Sequence, residues 1–362
     1  MRLPKRPSLV TETAEVLREG IAAGEWPARL PGERTLCERL QVSRTTLREA
    51  LQLLERRQLI SAGAGRPRRV RRRAAPAPHA PSREIGLLSL LPVAQQTPQT
   101  IYHLHELREQ LQTAGFRLRI FSDRRLARPH PSKFLQALVE GNRIDAWLLL
   151  SMSAAVQQWF AQRRLPTLVV GYAHAGVRLP SFDVDLRAAC RHAASQLRAQ
   201  GHAHLALLRQ PQKGAGMTAS EDGFLEAARL PGRLPCQAQI LGHDGSPAGI
   251  RLSLDRALAS ARPPTGLVVC DASHALCAAS HLLARRLAVP GDLSVLCRDH
   301  DVALDYFHPA ITRYAYRKHL YARRVARLAI QLATHGRVPQ RSYRLLPQLV
   351  PGQTLAPPRA AG

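Results

Sequence analysis

The sequence predicts an α/β protein in two parts: a small N-terminal helical module, and a larger domain in which helices cover parallel sheets. Three short amphipathic helical patterns precede a proline-rich segment at residues 71–83. After this segment, apolar strand-like runs alternate with longer helical patterns as far as about residue 346. Because some 260 residues would make a very large single sheet, we expect two lobes with a cleft between them.

The charge of the chain indicates a polyanionic partner. It has 362 residues, with 52 Lys and Arg against 26 Asp and Glu, and a net charge of +26. Residues 1–83 carry +10 of this charge, so the N-terminal part is the more basic for its length. Nucleic acid is the first candidate partner and an anionic membrane surface the second. The preference for Arg over Lys suits phosphate and guanine contacts, and a GC-rich genome would explain it equally well.

The six cysteines, at positions 37, 190, 236, 270, 277 and 297, form no CxxC pair and no regular framework. This usage is typical of reduced thiols in a cytosol. Since the first residues include no apolar signal-like stretch and no run approaches eighteen apolar residues, we expect a cytoplasmic protein that does not span a membrane.

The N-terminal module begins with a helix that is predicted from the spacing of Leu9, Thr13, Leu17 and Ile21. A turn at residues 30–34 opens a second helix, with Leu36 and Leu40 on one face, and Ser43 stands where a third helix needs its N-cap. The inward positions of this third helix are Leu47, Ala50, Leu51 and Leu54. We therefore expect Arg44, Thr45, Thr46 and Arg48 to point outward around its first turn.

An outward first turn of this composition suits the major groove of duplex DNA. Free backbone N–H groups and the positive end of the helix dipole favour phosphate there, and arginine can donate two hydrogen bonds to guanine. Residues 61–70 are typical of a two-stranded wing, in which Gly65 and Arg66 approach the minor groove or its phosphates. The alternative is a merely solvated basic helix face. The turn, cap, helix and wing signals agree in order, which favours DNA binding.

Three linked segments carry a family resemblance: residues 30–36 (LPGERTL), residues 42–54 (VSRTTLREALQLL), and Leu59-Ile60 with the wing. Together they resemble the winged helix-turn-helix of the GntR family of regulators over about residues 8–70. This resemblance implies sequence-specific DNA binding. The DNA contacts we predict are Arg34, Ser43, Arg44, Thr45, Thr46, Arg48, Gly65 and Arg66.

The expected domain boundaries follow from composition. Residues 1–73 form the DNA-binding module, 74–83 a linker, 84–350 the large domain, and 351–362 a disordered tail rich in Pro, Ala and Gly. Seven apolar runs are predicted as strands of the large domain: Ile85–Leu91, Phe116–Phe121, Ala146–Leu150, Thr167–Gly171, Leu205–Leu208, Gly266–Cys270 and Ser294–Leu296.

Residues 84–346 resemble the effector-binding half of LacI-type repressors. The resemblance depends on stretches such as 144–150 (IDAWLLL), 165–171 (LPTLVVG) and 289–295 (VPGDLSV). It implies a periplasmic-binding-protein type I fold, in which two Rossmann-like lobes close on a small molecule, and homodimerisation through the same domain. The fold class we expect is therefore α/β, a winged helix-turn-helix followed by this two-lobed domain.

Ligands of open α/β sheets bind beyond the carboxyl ends of the strands. The candidate effector residues at these ends are Asp123, Tyr172, Asp271, His274, Arg298 and Asp299. The resemblance implies that Asp271 and Asp299 bind ligand hydroxyls, which suits a sugar-like effector. One departure counts against a plain sugar, because Ser220 stands where the family has a sugar-holding arginine, three residues before Gly223-Phe224.

Other functions find less support in the sequence. The four lysines lie in no recognisable Schiff-base context, and no nucleophile elbow, phosphate-binding Gly-Lys-Ser/Thr loop or His-Glu-x-x-His is present. The pairs His103/His105 and His202/His204 lack partners at metal-ligand spacing. We therefore expect no enzyme activity, cofactor or metal. The expected function is a homodimeric, effector-controlled transcriptional repressor that binds operator DNA. The alternative is a DNA-binding protein whose large domain only dimerises.

Overall fold

The computed structural model describes residues 9–23, 26, 29–56, 59–61, 68, 70, 82–210, 214–231 and 235–359. Contacts divide the chain into two units, Met1–Ala80 with Ala137–Arg143, and Pro81–Gln136 with Ile144–Gly362. The first division, after residue 80, falls inside the predicted linker. Among the described helices, none has the length and apolar character that a bilayer crossing requires.

The helices of the described chain are, in order, α1 Leu9–Ala23, α2 Glu33–Leu40, α3 Arg44–Arg56, α4 Pro98–Thr113, α5 Ser132–Gly141, α6 Ala154–Gln162, α7 Leu186–Ala199, α8 Ala215–Arg229, α9 Pro247–Leu258, α10 Ala272–Ala284 and α11 Lys318–His335. The strands are β1 Glu84–Ser89, β2 Arg117–Ser122, β3 Ala146–Leu150, β4 Thr167–Val170, β5 Ser181–Val184, β6 His204–Arg209, β7 Gln237–Gly242, β8 Gly266–Val269, β9 Ser294–Cys297, β10 Thr312–Ala315, β11 Ser342–Leu345 and β12 Gln348–Val350.

In the N-terminal unit, α1, α2 and α3 enclose one small core. Its buried side chains are Leu17, Leu30, Leu36, Leu47, Leu51, Leu54 and Ile60. The inward positions predicted for α3 are all buried. After α3, Ile60 and Val70 form an antiparallel bridge at the base of the predicted wing, of which the structure describes residues 61, 68 and 70.

The larger unit contains two six-stranded sheets with the same strand order. The first lobe has the order β2-β1-β3-β4-β5-β11, and all its strands are parallel. The second has the order β7-β6-β8-β9-β10-β12, with only β12 antiparallel. Their central strands are buried along nearly their whole length, as parallel strands covered on both faces must be. The predicted two-lobed architecture is confirmed.

The two lobes are joined by three crossings of the chain. It leaves the first sheet after β5, returns from β10 to α11 and β11, and leaves again for β12. Helix α11 packs on α4 and on strands β3 and β4, so it belongs to the first lobe. Strands β5, β7 and β10 to β12 were not predicted, because their mixed sequences lack the continuous apolar runs of the central strands.

The prediction of a disordered tail is wrong for residues 351–359. Thr354 is fully buried and hydrogen-bonds to the backbone of β9 and β10. His202 binds the carbonyl oxygen of Ala356 at 2.9 Å, and Arg359 forms an ion pair with Asp292. The tail therefore packs on the second lobe, held by hydrogen bonds and an ion pair that its composition does not reveal.

Candidate functional site

The first turn of α3 has the local structure that the sequence predicts. The Thr46 N–H donates to Ser43 Oγ at 3.1 Å, so Ser43 caps the helix. Arg44, Thr45 and Arg48 are exposed, and Thr46 is half-buried. The core beneath this turn is buried, and the polar side chains of the turn lie on the surface above it. DNA contact by these residues stays a prediction.

One carboxylate holds two arginines next to this turn. Glu33 Oε2 accepts from Arg48 Nε at 2.9 Å, and Glu33 Oε1 accepts from Arg68 Nη1 at 3.0 Å. Arg68 also donates to Glu55 at 2.6 Å and has only 17% of its side chain exposed. Hydrogen bonds from Arg68 and then Arg48 lower the pKa of Glu33, which is therefore ionised at neutral pH. Glu33 and Arg68 were not identified from the sequence as part of the site. Glu33 lies 15 positions from Arg48 and 35 from Arg68, and no local sequence pattern predicts ion pairs at such separations.

The remaining predicted DNA contacts are less constrained. Arg34 lies 3.7 Å from Glu38 on the surface of α2, with 83% of its side chain exposed. Gly65 and Arg66 lie outside the described residues. The base of the wing is attached to the core, since the Leu30 N–H donates to the Arg68 carbonyl at 2.9 Å.

A cavity of about 410 Å³, here called the cleft cavity, lies between the two lobes of the larger unit. The first lobe contributes Thr97–Thr100, His103, Ser151 and Asp183, among others. The second contributes mainly the loops after β8 and β9, with Asp271, Ser273, Arg298, Asp299, His300 and Asp301. Tyr316 and Tyr321 line it next to the second crossing of the chain. The cavity thus meets the carboxyl ends of parallel strands, where such folds bind ligands.

Arg298 is the anchor of the second-lobe wall. Its guanidinium, 9% exposed, donates from Nε and Nη2 to the two oxygens of Asp299 at 3.0 and 2.9 Å. Its Nη1 donates to Ser220 Oγ at 2.8 Å. Burial opposes the charge, yet the Asp299 carboxylate keeps the pKa of Arg298 well above its ordinary value. Ser220 stands where LacI-type repressors, which the large domain resembles, have a sugar-holding arginine. In this chain the guanidinium group of Arg298 contacts that position instead.

Close helix packing places Ser220 at this point. It lies on α8, one turn before Gly223, where an added Cβ would fall 2.1 Å from the Arg187 carbonyl oxygen of α7. Only glycine permits this approach of the two helices. Ser220 also donates to the Gly216 carbonyl, so its hydroxyl is satisfied on both sides.

The first-lobe wall combines aromatic rings with a buried carboxyl group. The ring of His103 stacks 4.5 Å from Tyr321 and 5.9 Å from Tyr316. Burial, followed by the Lys318 charge, lowers the pKa of His103 to about 4. Burial raises the pKa of Asp183 to about 6, and its carboxylate accepts from the Val184 N–H at 2.8 Å. From the sequence, His103 was considered only as a metal ligand, and none of these residues was predicted as part of the effector site.

The cleft cavity holds more acids than available cations. Arg298, the one arginine among the described lining residues, is committed to Asp299 and Ser220. Burial and Arg313 lower the pKa of His300, whose Nδ1 accepts from Arg313. Asp271 and Asp301 accept only backbone hydrogen bonds at helix starts among the bonds described. The second-lobe side of the cleft cavity therefore offers hydrogen-bond acceptors to hydroxyl or ammonium groups, and its described residues do not form an anion-binding site.

Three predicted effector residues lie outside this cavity, and for them the placement does not support the prediction. Asp123 caps a short turn and pairs with Arg125. Tyr172 donates to the Val184 carbonyl and accepts from the Leu186 N–H, so it braces the chain after β5. The ring of His274 packs 4.6 Å from His243. Asp271, Arg298 and Asp299 are the predicted residues that the fold brings together.

The remaining His, Cys, Asp and Glu side chains of the described residues show no metal centre and no disulfide. Across the described ranges, no group of three His, Cys, Asp or Glu side chains could hold a metal ion. His202 binds Thr265 and Ser294 in the second lobe, which is a packing role. All six cysteines are free thiols.

Two family models match the chain. Residues 9–70 match the bacterial regulatory proteins of the gntR family. Residues 194–355 match the periplasmic binding protein-like domain. Curated protein sequences include no match to this chain.

Solved structures share the fold of the larger unit. A LacI family transcriptional regulator from Bifidobacterium animalis subsp. lactis is 20% identical, with 77% of this chain and 100% of that chain covered and a TM-score of 0.66. A regulatory protein of the LacI family from Chloroflexus aggregans is 19% identical (75% and 98% covered, TM-score 0.65). A LacI family regulator from Enterococcus faecium with bound ribose is 18% identical (76% and 99% covered, TM-score 0.60). These identities show a common fold.

Proposed function

We propose that this chain is a transcription regulator, in which a segment that matches the gntR family of regulatory proteins is joined to a periplasmic binding protein-like domain. A small molecule in the cleft cavity controls its binding to operator DNA. The observation that carries this proposal is the presence in one chain of an exposed, capped helix start and of a polar cavity between two lobes joined by three crossings of the chain. The protein acts in the cytoplasm, as a binding protein and not as an enzyme.

The DNA contacts are made by the first turn of α3. Arg44 and Arg48 extend from it toward the base edges, while Ser43, Thr45 and Thr46 contact phosphates together with the free N–H groups of the helix start. Arg34 and the wing residues Gly65 and Arg66 contribute backbone contacts. The buried core of the unit supports this arrangement, since it holds α3 in one orientation.

The effector is a hydroxyl-rich, sugar-like molecule without an anionic group. Asp271, Asp299 and Asp301 accept hydrogen bonds from its hydroxyls, and the rings of His103 and Tyr316 pack against its apolar face. The related fold with bound ribose supports a ligand of this size and polarity. A cavity of about 410 Å³ accommodates a monosaccharide-sized ligand or one somewhat larger.

Regulation is by repression through a homodimer. Leu91, Val93, Ile101 and Tyr102 expose apolar surface on or near α4, which supports a second copy of the chain as partner. A two-fold operator matches such a dimer, with half-sites spaced by about one helical turn of DNA or a multiple of it. Effector binding shifts the population of closed lobes, and the linker transmits this shift to the recognition helices.

A footprint over the DNA upstream of the gene tests the proposal. Wild-type protein should protect a two-fold sequence, and Arg44→Ala should weaken binding by about 1–3 kcal/mol if Arg44 contacts guanine. Repeating the footprint with neutral sugars, amino sugars and sugar phosphates should reveal a compound that abolishes protection, and the sugar phosphates should be inert. Protection that no compound alters, together with no thermal shift of the protein, would support a large domain that only dimerises. Absence of any sequence preference would contradict the DNA-binding proposal itself.

A further inference from the structure

The last part of the chain contains basic residues and no acidic ones. Residues 306–362 contain ten Lys and Arg and no Asp or Glu. They therefore hold most of the positive charge that the large domain contributes. A domain that only binds a small molecule between its lobes has no need of this charge, since none of these ten basic side chains lines the cavity, whose charged lining is mainly acidic.

The exposed face of α11 concentrates these cations. Arg323, Arg324 and Arg327 are all exposed, and the opposite face of the helix is buried in the first lobe. Positions i, i+1 and i+4 fall within about 100° of one another around a helix, so the three guanidinium groups share one side. Arg317 precedes this face, and Arg337 follows it at the other end of the helix; both are exposed. We call the surface of Arg323, Arg324 and Arg327 the α11 basic face.

The α11 basic face has no local compensation. Within the described part of the chain, none of its three arginines forms an ion pair, and α11 contains no acidic residue. Some arginines elsewhere on the same unit are paired, as Arg187 is with Glu226. Like charges at this spacing destabilise a helix by a few tenths of a kcal/mol per pair. A bound polyanion would reverse the sign of this contribution.

We propose that the α11 basic face is a second DNA-contacting surface, which binds backbone phosphates outside the base pairs that α3 reads. The inference depends on the proposed DNA binding by α3. The tether between the two units presents any DNA bound by α3 to α11 at a high effective concentration, so weak phosphate contacts suffice. Guanidinium groups bind phosphate well, because they can donate two parallel hydrogen bonds to it. A membrane surface is a less suitable partner, because none of the large exposed apolar side chains of the described chain lies on α11.

The test is the salt dependence of DNA binding by the full chain. The test variant is R323Q/R324Q/R327Q. The control variant, R251Q/R256Q/R262Q, removes the same charge from arginines on and just after α9. These control arginines are also exposed and form no ion pair among the described contacts. Affinities for a 60-base-pair operator fragment are measured by fluorescence anisotropy from 50 to 300 mM KCl. Each neutralised phosphate contributes about 0.9 to the slope of log K against log salt concentration.

If all three arginines bind phosphates, the slope should fall by about 2.7 in the α11 variant and stay unchanged in the control. On a duplex trimmed to the bases that α3 and the wing protect, both variants should match the wild type. Equal slopes for the α11 variant and the wild type on the long fragment would overturn the inference. In that case the wild-type protein would still give a footprint, because α3 would still bind the operator. The absence of a wild-type footprint would instead contradict the proposed function, so the two failures can be distinguished. Thermal unfolding confirms that each variant is folded.

Discussion

Replacing Glu33 by glutamine should tighten operator binding although it removes a structural ion pair. In the free protein, Glu33 holds the Arg48 side chain at 2.9 Å, beside the helix start that we propose to enter the groove. Arg48 has to leave Glu33 before it can reach a base or phosphate. The carboxylate also repels approaching phosphates. Both effects oppose DNA binding, and E33Q weakens both.

The size of the effect follows from exposure. Arg48 has 63% of its side chain exposed, and such pairs contribute about 0.2–1 kcal/mol. At 1.4 kcal/mol per tenfold, operator affinity should rise by about 1.5- to 5-fold. Arg68 has only 17% of its side chain exposed and loses one partner, but it keeps Glu55. We therefore expect E33Q to destabilise the N-terminal unit by about 1 kcal/mol while binding DNA more tightly.

The assay is titration of a labelled operator duplex at fixed salt, with E38Q as the control. Glu38 stands on the same helix and pairs with Arg34 at 3.7 Å, with 68% of its side chain exposed, so its removal changes the same charge and frees no residue of α3. E33Q should exceed E38Q in affinity. Unchanged or weaker binding by E33Q, with the fold intact, would refute the reasoning and would mean that Glu33 positions Arg48 for the complex.

Three further predictions concern stability. Ser43→Ala should lower the unfolding free energy by about 1 kcal/mol in thermal melts, because it removes the cap of α3, while Thr45→Ala should change little. Asp299→Ala should cost about 3 kcal/mol in urea unfolding, because Arg298 is left buried without its carboxylate, whereas R298M/D299L should recover most of this loss. Between pH 6.5 and about 4 the unfolded chain binds a proton that His103 in the folded chain does not. The contribution of His103 to stability should therefore fall as pH falls through this window, by up to about 1.4 kcal/mol per unit, so the wild type should lose more stability across it than H103Q does.

The N-terminal unit could be predicted closely because its signals are local. The cap at Ser43, the inward leucines of α3 and the outward arginines all follow from spacing within one helix, and the structure has them in place. The central strands of the large domain were equally clear, since continuous apolar runs are typical of buried parallel strands. The tail was predicted wrongly, because its order comes from Thr354 and His202, two side chains 152 positions apart in the sequence.

The sequence by itself determined that a basic helix start would be exposed and that two lobes with mainly parallel sheets would follow. These features depend on hydrophobic periodicity, capping and charge, which act over a few residues. Only the tertiary structure decided which polar groups meet. It brought Arg298 to Ser220 across 78 positions and enclosed Asp183 and His103 in the cleft cavity. It left Asp123 and Tyr172 outside the cavity and turned the unpaired cations of α11 to solvent. The reason is physical: a ligand site forms where strand ends from distant parts of the chain converge, and no local pattern encodes that convergence.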